Sequence, residues 1–212
     1  MTHTLHRLGT EEERQQDFVV LIMPSKCINV EGSGPKVKIF LEKASNVGAV
    51  NVGSLRLGHI YRHTLAELLE KIQDRNSTCT ATFNSRESVA AFLKELKEAD
   101  LGISIVVCGV DGETRDICEE VGLKPHTVNH SLGVWGKTDK LPDGRHLMLS
   151  MMCGHGMVSF NLVKKAVEDV KKGKDPVKAA KFLAQPCHCA LYNVPLAAKV
   201  LKELAEEELQ NS

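Results

Sequence analysis

Aromatic side chains are scarce in this chain: one Trp, two Tyr and six Phe among 212 residues, 4% of the total. That removes the stacking platforms on which single-stranded nucleic acid is usually held. An excess of either charge is missing too. Lys plus Arg number 27 and Asp plus Glu number 27, so no global field draws the chain to nucleic acid or to an anionic membrane. Long hydrophobic runs are absent as well. The longest, residues 18–23, is far short of the roughly 20 residues a bilayer requires. Residues 1–14 are polar and carry no targeting pattern. No internal repeat or low-complexity tract stands out. Together these absences predict a cytoplasmic protein with no nucleic-acid or membrane partner, and they leave a small anionic ligand and a homo-oligomer open.

What is present is a substantial core and a notable set of thiols. An apolar content of 42% over 212 residues suits one large domain, or one domain with a small appended part. The seven cysteines are an odd number. In a reducing compartment they read as core residues, redox centres or ligands rather than as a disulfide framework.

Strand and helix patterns alternate through the first half. Thr10 with Glu13 and Thr64 with Glu67 form capping-box patterns, the second opening a helix over residues 65–74. Residues 17–23 (DFVVLIM) are β-branched, end at Pro24 and read as a buried strand. Ser33 as a cap beside Pro35 opens a helix that stops at Gly48, and residues 49–52 form a short strand. Residues 78–83 alternate as a strand. Ser85 caps a helix over 86–99 whose Val89, Phe92, Leu93 and Leu96 share one face. Residues 103–108 (ISIVVC) are a second buried strand, and a short helix over 113–121 ends at Gly122. Helices of crossover length between strands predict an α/β fold, a mostly parallel sheet with covering helices.

Residues 124–145 are too long for a plain connection. Within them 127–134 fits an edge strand or hairpin arm, and 146–151 (HLMLSM) reads as a strand. Beyond it lie helices over 158–172, over 176–184 capped by Asp175, and over 195–209 with Asn193 as cap. The division expected is a sheet domain over 1–150 and a helical C-terminal subdomain over 151–212, or one domain integrating both.

Two motifs in that last part carry chemistry. One is Met152-Cys153-Gly154-His155-Gly156-Met157, the other Pro186-Cys187-His188-Cys189. Gly154 and Gly156 allow backbone conformations that turn amide N–H groups toward a ligand. If Cys153 stands at a helix start, the helix dipole favours its thiolate. Brought together, Cys153, His155, Cys187 and Cys189 form an S₃N set suited to tetrahedral zinc or iron. Three of the cysteines could instead hold a four-iron cluster, with His155 or His188 near the fourth iron. The one-residue spacing is tighter than the two to four residues of common zinc fingers. The site is expected where the C-terminal loops meet the sheet edge.

Other residues admit plainer readings. Cys108 and Asp111 would face a pocket if strand carboxyl ends converge there, and Cys27 would share that edge if its strand runs parallel. Core packing explains Cys108, Cys79 and Cys118 more simply. His126 and His130 would share a face if extended and could join a metal site. His59 and His63 read as a solvated loop. Residues 32–36 (GSGPK) resemble a phosphate-cradling loop only loosely, and a helix start accounts for them. Lysines between 164 and 181 form a solvated face that could draw anions.

Three functions follow. The leading one is a metal- or iron–sulfur-binding protein, with redox or Lewis-acid enzyme chemistry on a small anionic substrate open to it and the Gly154 and Gly156 amides available to that substrate. The second is a metal-free enzyme with Cys153 as nucleophile and His155 or, more plausibly given the spacing, His188 as base. The third is a non-enzymatic module for a small ligand.

Overall fold

The computed structural model describes residues 3–75 and 78–211. In chain order its elements are α1 (Glu11–Arg14), β1 (Phe18–Met23), α2 (Ser33–Asn46), β2 (Asn51–Ser54), β3 (Gly58–His59), α3 (Leu65–Lys71), β4 (Cys79–Phe83), α4 (Arg86–Ala99), β5 (Ser104–Cys108), α5 (Asp111–Val121), α6 (Gly144–Met151), α7 (Phe160–Lys171), α8 (Pro176–Ala184) and α9 (Val194–Gln210).

Side chains written into the sequence set most of the helix starts. Thr10 and Thr64 each accept from the N3 amide, while Glu13 and Glu67 reach back to the cap amide, satisfying two orphan donors at once. Ser85, Ser159, Asp175 and Asn193 cap α4, α7, α8 and α9. Helix α2 differs from expectation. Its cap is Gly32, in the left-handed region at φ +70°, and Ser33 lies inside the helix. The amides of Gly32 and Gly34 donate to the Asp74 carboxylate at 2.9 and 3.1 Å. An internal carboxylate thus occupies the loop that resembled a phosphate cradle.

The sheet has the order β3-β2-β4-β1-β5, and every neighbouring pair is antiparallel. This overturns the mostly parallel sheet. Strands β4 and β5 do run parallel and are joined by α4, as the crossover-length helix implied. However, β1 is inserted between them and pairs antiparallel with both. Strands β1 and β2, joined by α2, are likewise separated by β4. Two interlocked βαβ units of this kind make a split βαβ sheet. Crossover lengths report which strands are parallel but not which are adjacent. As a consequence Cys27 and Cys108 lie toward opposite ends of the antiparallel β1–β5 pair, so no shared carboxyl edge forms.

Alternate residues of β1 feed two cores. Phe18, Val20 and Ile22 pack with α2, α4 and α5 through Val37, Phe40, Phe92 and Ile117. Val19 and Leu21 pack on the opposite face with Leu149, Val163, Leu183 and Leu201 from α6–α9. Because both faces are covered, β1 reads as a continuous apolar run even in an antiparallel sheet. Cys79 and Cys118 lie in the first core, as packing residues do.

Residues 146–151 are helical, in α6, and not a strand. Leu and Met are good helix formers, none of the six is β-branched, and Asp143 caps the start through the His146 amide at 3.1 Å. Residues 127–134 form no strand in the chain; they lie in an exposed segment between α5 and α6.

Asn193 joins the two halves. It accepts from the Leu196 amide and donates to the Gln16 carbonyl at 2.9 Å and to Asp17 Oδ1 at 3.0 Å. Asp17 is buried, and burial raises its pKa against the pull of Arg7 3.4 Å away and of the Asn193 amide. Asn193→Ala removes a helix cap and a carboxylate's donor together. It should lower stability by about 2–3 kcal/mol, read as a fall in the urea midpoint at unchanged slope.

Candidate metal centre

Two loops between helices build the site. The first leaves α6 after Met151 and turns through Gly154 and Gly156, at φ +76° and +63°. Both lie in the left-handed region that L-residues with a Cβ resist. The Gly154 amide donates to the Met151 carbonyl at 2.7 Å, and the turn directs Cys153 inward, where it is fully buried.

The second loop joins α8 to α9. Its carbonyls are buried on the sheet and take their hydrogen bonds from side chains there. The Thr80 hydroxyl donates to the Cys189 carbonyl. The Thr82 hydroxyl donates to that of Ala190 at 2.9 Å, and the Asn51 amide to that of Tyr192 at 3.1 Å. Gly53 lies on the same face, and a Cβ there would come within 2.9 Å of the Ala190 Cβ. The site therefore sits over β4, the middle strand, and not at the sheet edge. Sequence reasoning missed Thr80, Thr82 and Asn51. Their signal was present: in residues 78–83 hydroxyls occupy one face of a strand whose other face is Cys79, Ala81 and Phe83.

This scaffold brings the donors together. Ligand atoms of Cys153, His155 and Cys189 all lie within 4.8 Å of one another, with Cys189 Sγ 3.5 Å from His155 Nδ1. The thiols of Cys187 and Cys189 both hydrogen-bond to the Cys153 sulfur. Cys153, Cys187 and Cys189 are buried, whereas His155 is exposed. Cys153, His155 and Cys189 could thus hold a metal ion; Cys187, expected among the ligands, hydrogen-bonds to Cys153 but does not belong to that group of three.

The electrostatics favour negative sulfur. The Cys187 and Cys189 thiols first, then the His155 and Met157 amides, hold the Cys153 thiol well below its ordinary pKa, against the opposing effect of burial. The other two thiols are pushed up because they donate to Cys153 and are themselves buried. Cys153 is thus the most readily ionised of the three sulfurs. The helix dipole is not the cause: Cys153 stands seven residues before α7 begins, and the two neighbouring thiols, then the amides of the Gly-rich turn, supply the effect.

No protein-family model, curated protein or solved structure matches the chain. The chemistry of this site therefore rests on its own geometry.

The remaining candidates lie apart or play other parts. His188 is exposed against Arg62, whose Nη1 is 3.3 Å from the imidazole Nδ1. His126 and His130 are exposed on the segment between α5 and α6, and among the described residues the metal-competent group does not include them. His59, expected in a solvated loop, is instead fully buried on β3, where its Nδ1 accepts from the Tyr61 amide at 3.3 Å. Burial first, then the charge of Arg62, lowers its pKa from 6.5 to about 4.

Because the folded state refuses a proton that the unfolded chain accepts, His59 favours folding above pH 6.5. That contribution is lost as pH falls from 6.5 toward 4. The full loss is about 3 kcal/mol for a shift of that size. His59→Gln should flatten the acid limb of a stability-against-pH curve over this window; an unchanged limb would assign the loss to other groups. Gly154→Ala places a Cβ at φ +76° and should cost about 1–2 kcal/mol, read by thermal unfolding.

Proposed function

We propose that the chain binds one thiophilic metal ion, zinc being the best match, through Cys153, Cys187, Cys189 and His155. The observation that carries this reading is the convergence of Cys153, His155 and Cys189, whose ligand atoms all lie within 4.8 Å of one another, with Cys187 hydrogen-bonded to Cys153 as the candidate fourth ligand. Four ligands at zinc–sulfur and zinc–nitrogen lengths of about 2.0–2.3 Å stand roughly 3.5–4 Å apart around a tetrahedron. The 3.5 Å from Cys189 to His155 suits that figure. A four-iron cluster needs three thiolates on separate irons, whereas the converging group holds two sulfurs and an imidazole, so a single ion is favoured over the cluster.

The bound ion fastens the α6–α7 loop to the α8–α9 loop and neutralises the buried sulfurs. Four protein ligands make a closed site, whose first role is to stabilise the fold. A second reading is favoured by His155, which is exposed while the three sulfurs are buried. The imidazole is the ligand that a small anion would displace, and the vacated position would make the ion a Lewis acid. Arg62, near Cys187 and His188, places positive charge on the same side. A metal-free nucleophile draws less support, since the Cys153 sulfur is fully buried and attack requires access. Free cysteines suit the reducing cytoplasm. No helix among the described residues is long and apolar enough to cross a membrane.

Metal and acid-labile sulfide per chain, measured after oxygen-free purification, test the proposal. One zinc or iron without sulfide is expected. Sulfide in stoichiometric amount would replace the single ion by a cluster, and no metal in the native protein together with no uptake on reconstitution would sink the reading. Zinc at a hundredfold excess over its Kd should stabilise the chain by about 2.7 kcal/mol, roughly 5–10 °C in Tm for a chain this long. His155→Ala, at an exposed position, should keep the fold and weaken cobalt or zinc binding at least about 100-fold. Cys27→Ser, outside the site, should bind as the parent does.

A further inference from the structure

Strand β5 ends the sheet and pairs only with β1; among the described residues no strand covers its outer edge. Soluble proteins guard such an edge with a charge, a proline or a bulge. Residues 104–108 (SIVVC) contain neither a charge nor a proline, and they pair with β1 in unbroken register. Val106 and Cys108 are only half-buried on the face shared with α6–α9, as are Ile105 and Val107 on the other. The edge is apolar and regular, and no strand among the described residues lies on it.

The same chain carries an unused strand. Residues 124–140 are exposed throughout, including Leu132 at 83% and Trp135 at 80% of full exposure, with Val128 and Val134 about half exposed. Val128, Leu132 and Val134 would share one face with His130 if extended, with Thr127, Asn129, Ser131 and Gly133 on the other. The pattern of 127–134 is that of a strand, yet it pairs with no strand among the described residues. An arm of this kind, with its apolar residues turned to water, is uncommon unless something covers it.

We propose that this arm adds to the β5 edge of a second copy of the chain, and that the second copy returns its own arm, giving a two-fold dimer with exchanged edge strands. Each unmet need then answers the other. Backbone hydrogen bonds close the β5 ladder, Val128, Leu132 and Val134 cover one half-exposed face, and Trp135 leaves water. Two-fold symmetry makes every contact twice. The balance of 27 basic against 27 acidic residues sets no net repulsion between copies. The proposal does not depend on the metal centre.

Trp135 is the chain's one tryptophan, so its emission reports on the arm alone. The full-length protein should sediment at twice the 23.3 kDa of one chain at high concentration. Its emission should be blue-shifted there and move to the red as serial dilution separates the copies. Leu132→Asp with Val134→Asp alters only the exposed arm, so the fold should be kept; this variant should stay at single-chain mass with red emission at every concentration. Val106→Lys, which charges the edge itself, should do the same. Three outcomes overturn the proposal: a single chain with red emission throughout, blue emission in a single chain regardless of dilution (the arm closing on its own edge), or a dimer that survives the arm substitutions.

Discussion

The buried carbonyls of residues 189–192 are the constraint on which this structure turns. Irregular backbone seldom lies against a sheet face, because its polar groups lose water and gain no ladder. Here the sheet supplies donors in place of water: two threonine hydroxyls of β4 and one asparagine amide of β2. That clamp holds the α8–α9 loop over the middle strand. It aims Cys187 and Cys189 at Cys153, and it delivers Asn193 to the start of α9, where the same residue caps the helix and reaches Asp17. Sheet, helices and sulfur cluster meet in one short stretch of chain.

The sulfur cluster is a second, dependent constraint. Ionising any one of three buried thiols is costly without compensation. Part of it comes from the amides of His155 and Met157 at Cys153 and of Leu191 at Cys189. Those amides converge because Gly154 and Gly156 accept positive φ. Amide donors lower the cost of a thiolate without cancelling its charge. The site is asymmetric, with its sulfurs buried and the His155 imidazole exposed.

Much of the local structure was legible because short-range rules govern it. Threonine–glutamate pairs at 10/13 and 64/67, Asp175 before Pro176, and Asn193 announced their helices, as β-branched runs announced β1 and β5. The strand assigned to 146–151 failed for a local reason too: Leu and Met side chains without β-branching, behind an aspartate cap, prefer a helix. Sheet order failed for a non-local one. A sequence shows that α4 can cross from β4 to β5, but the insertion of β1 between them is decided by which strands can bury both faces.

By itself, the sequence determined most of the elements, the side-chain caps of α1, α3, α4, α8 and α9, and the presence of three cysteines and two histidines in two short motifs, because each of these depends on residues a few positions apart. Only the tertiary structure decided that the sheet is antiparallel, that Thr80 and Thr82 hold the second motif, that His59 is buried, and that His155 joins the sulfurs while His188 lies against Arg62. The contacts of the two motifs join residues separated by 34 to 126 positions, and packing on both faces of one sheet brings them together.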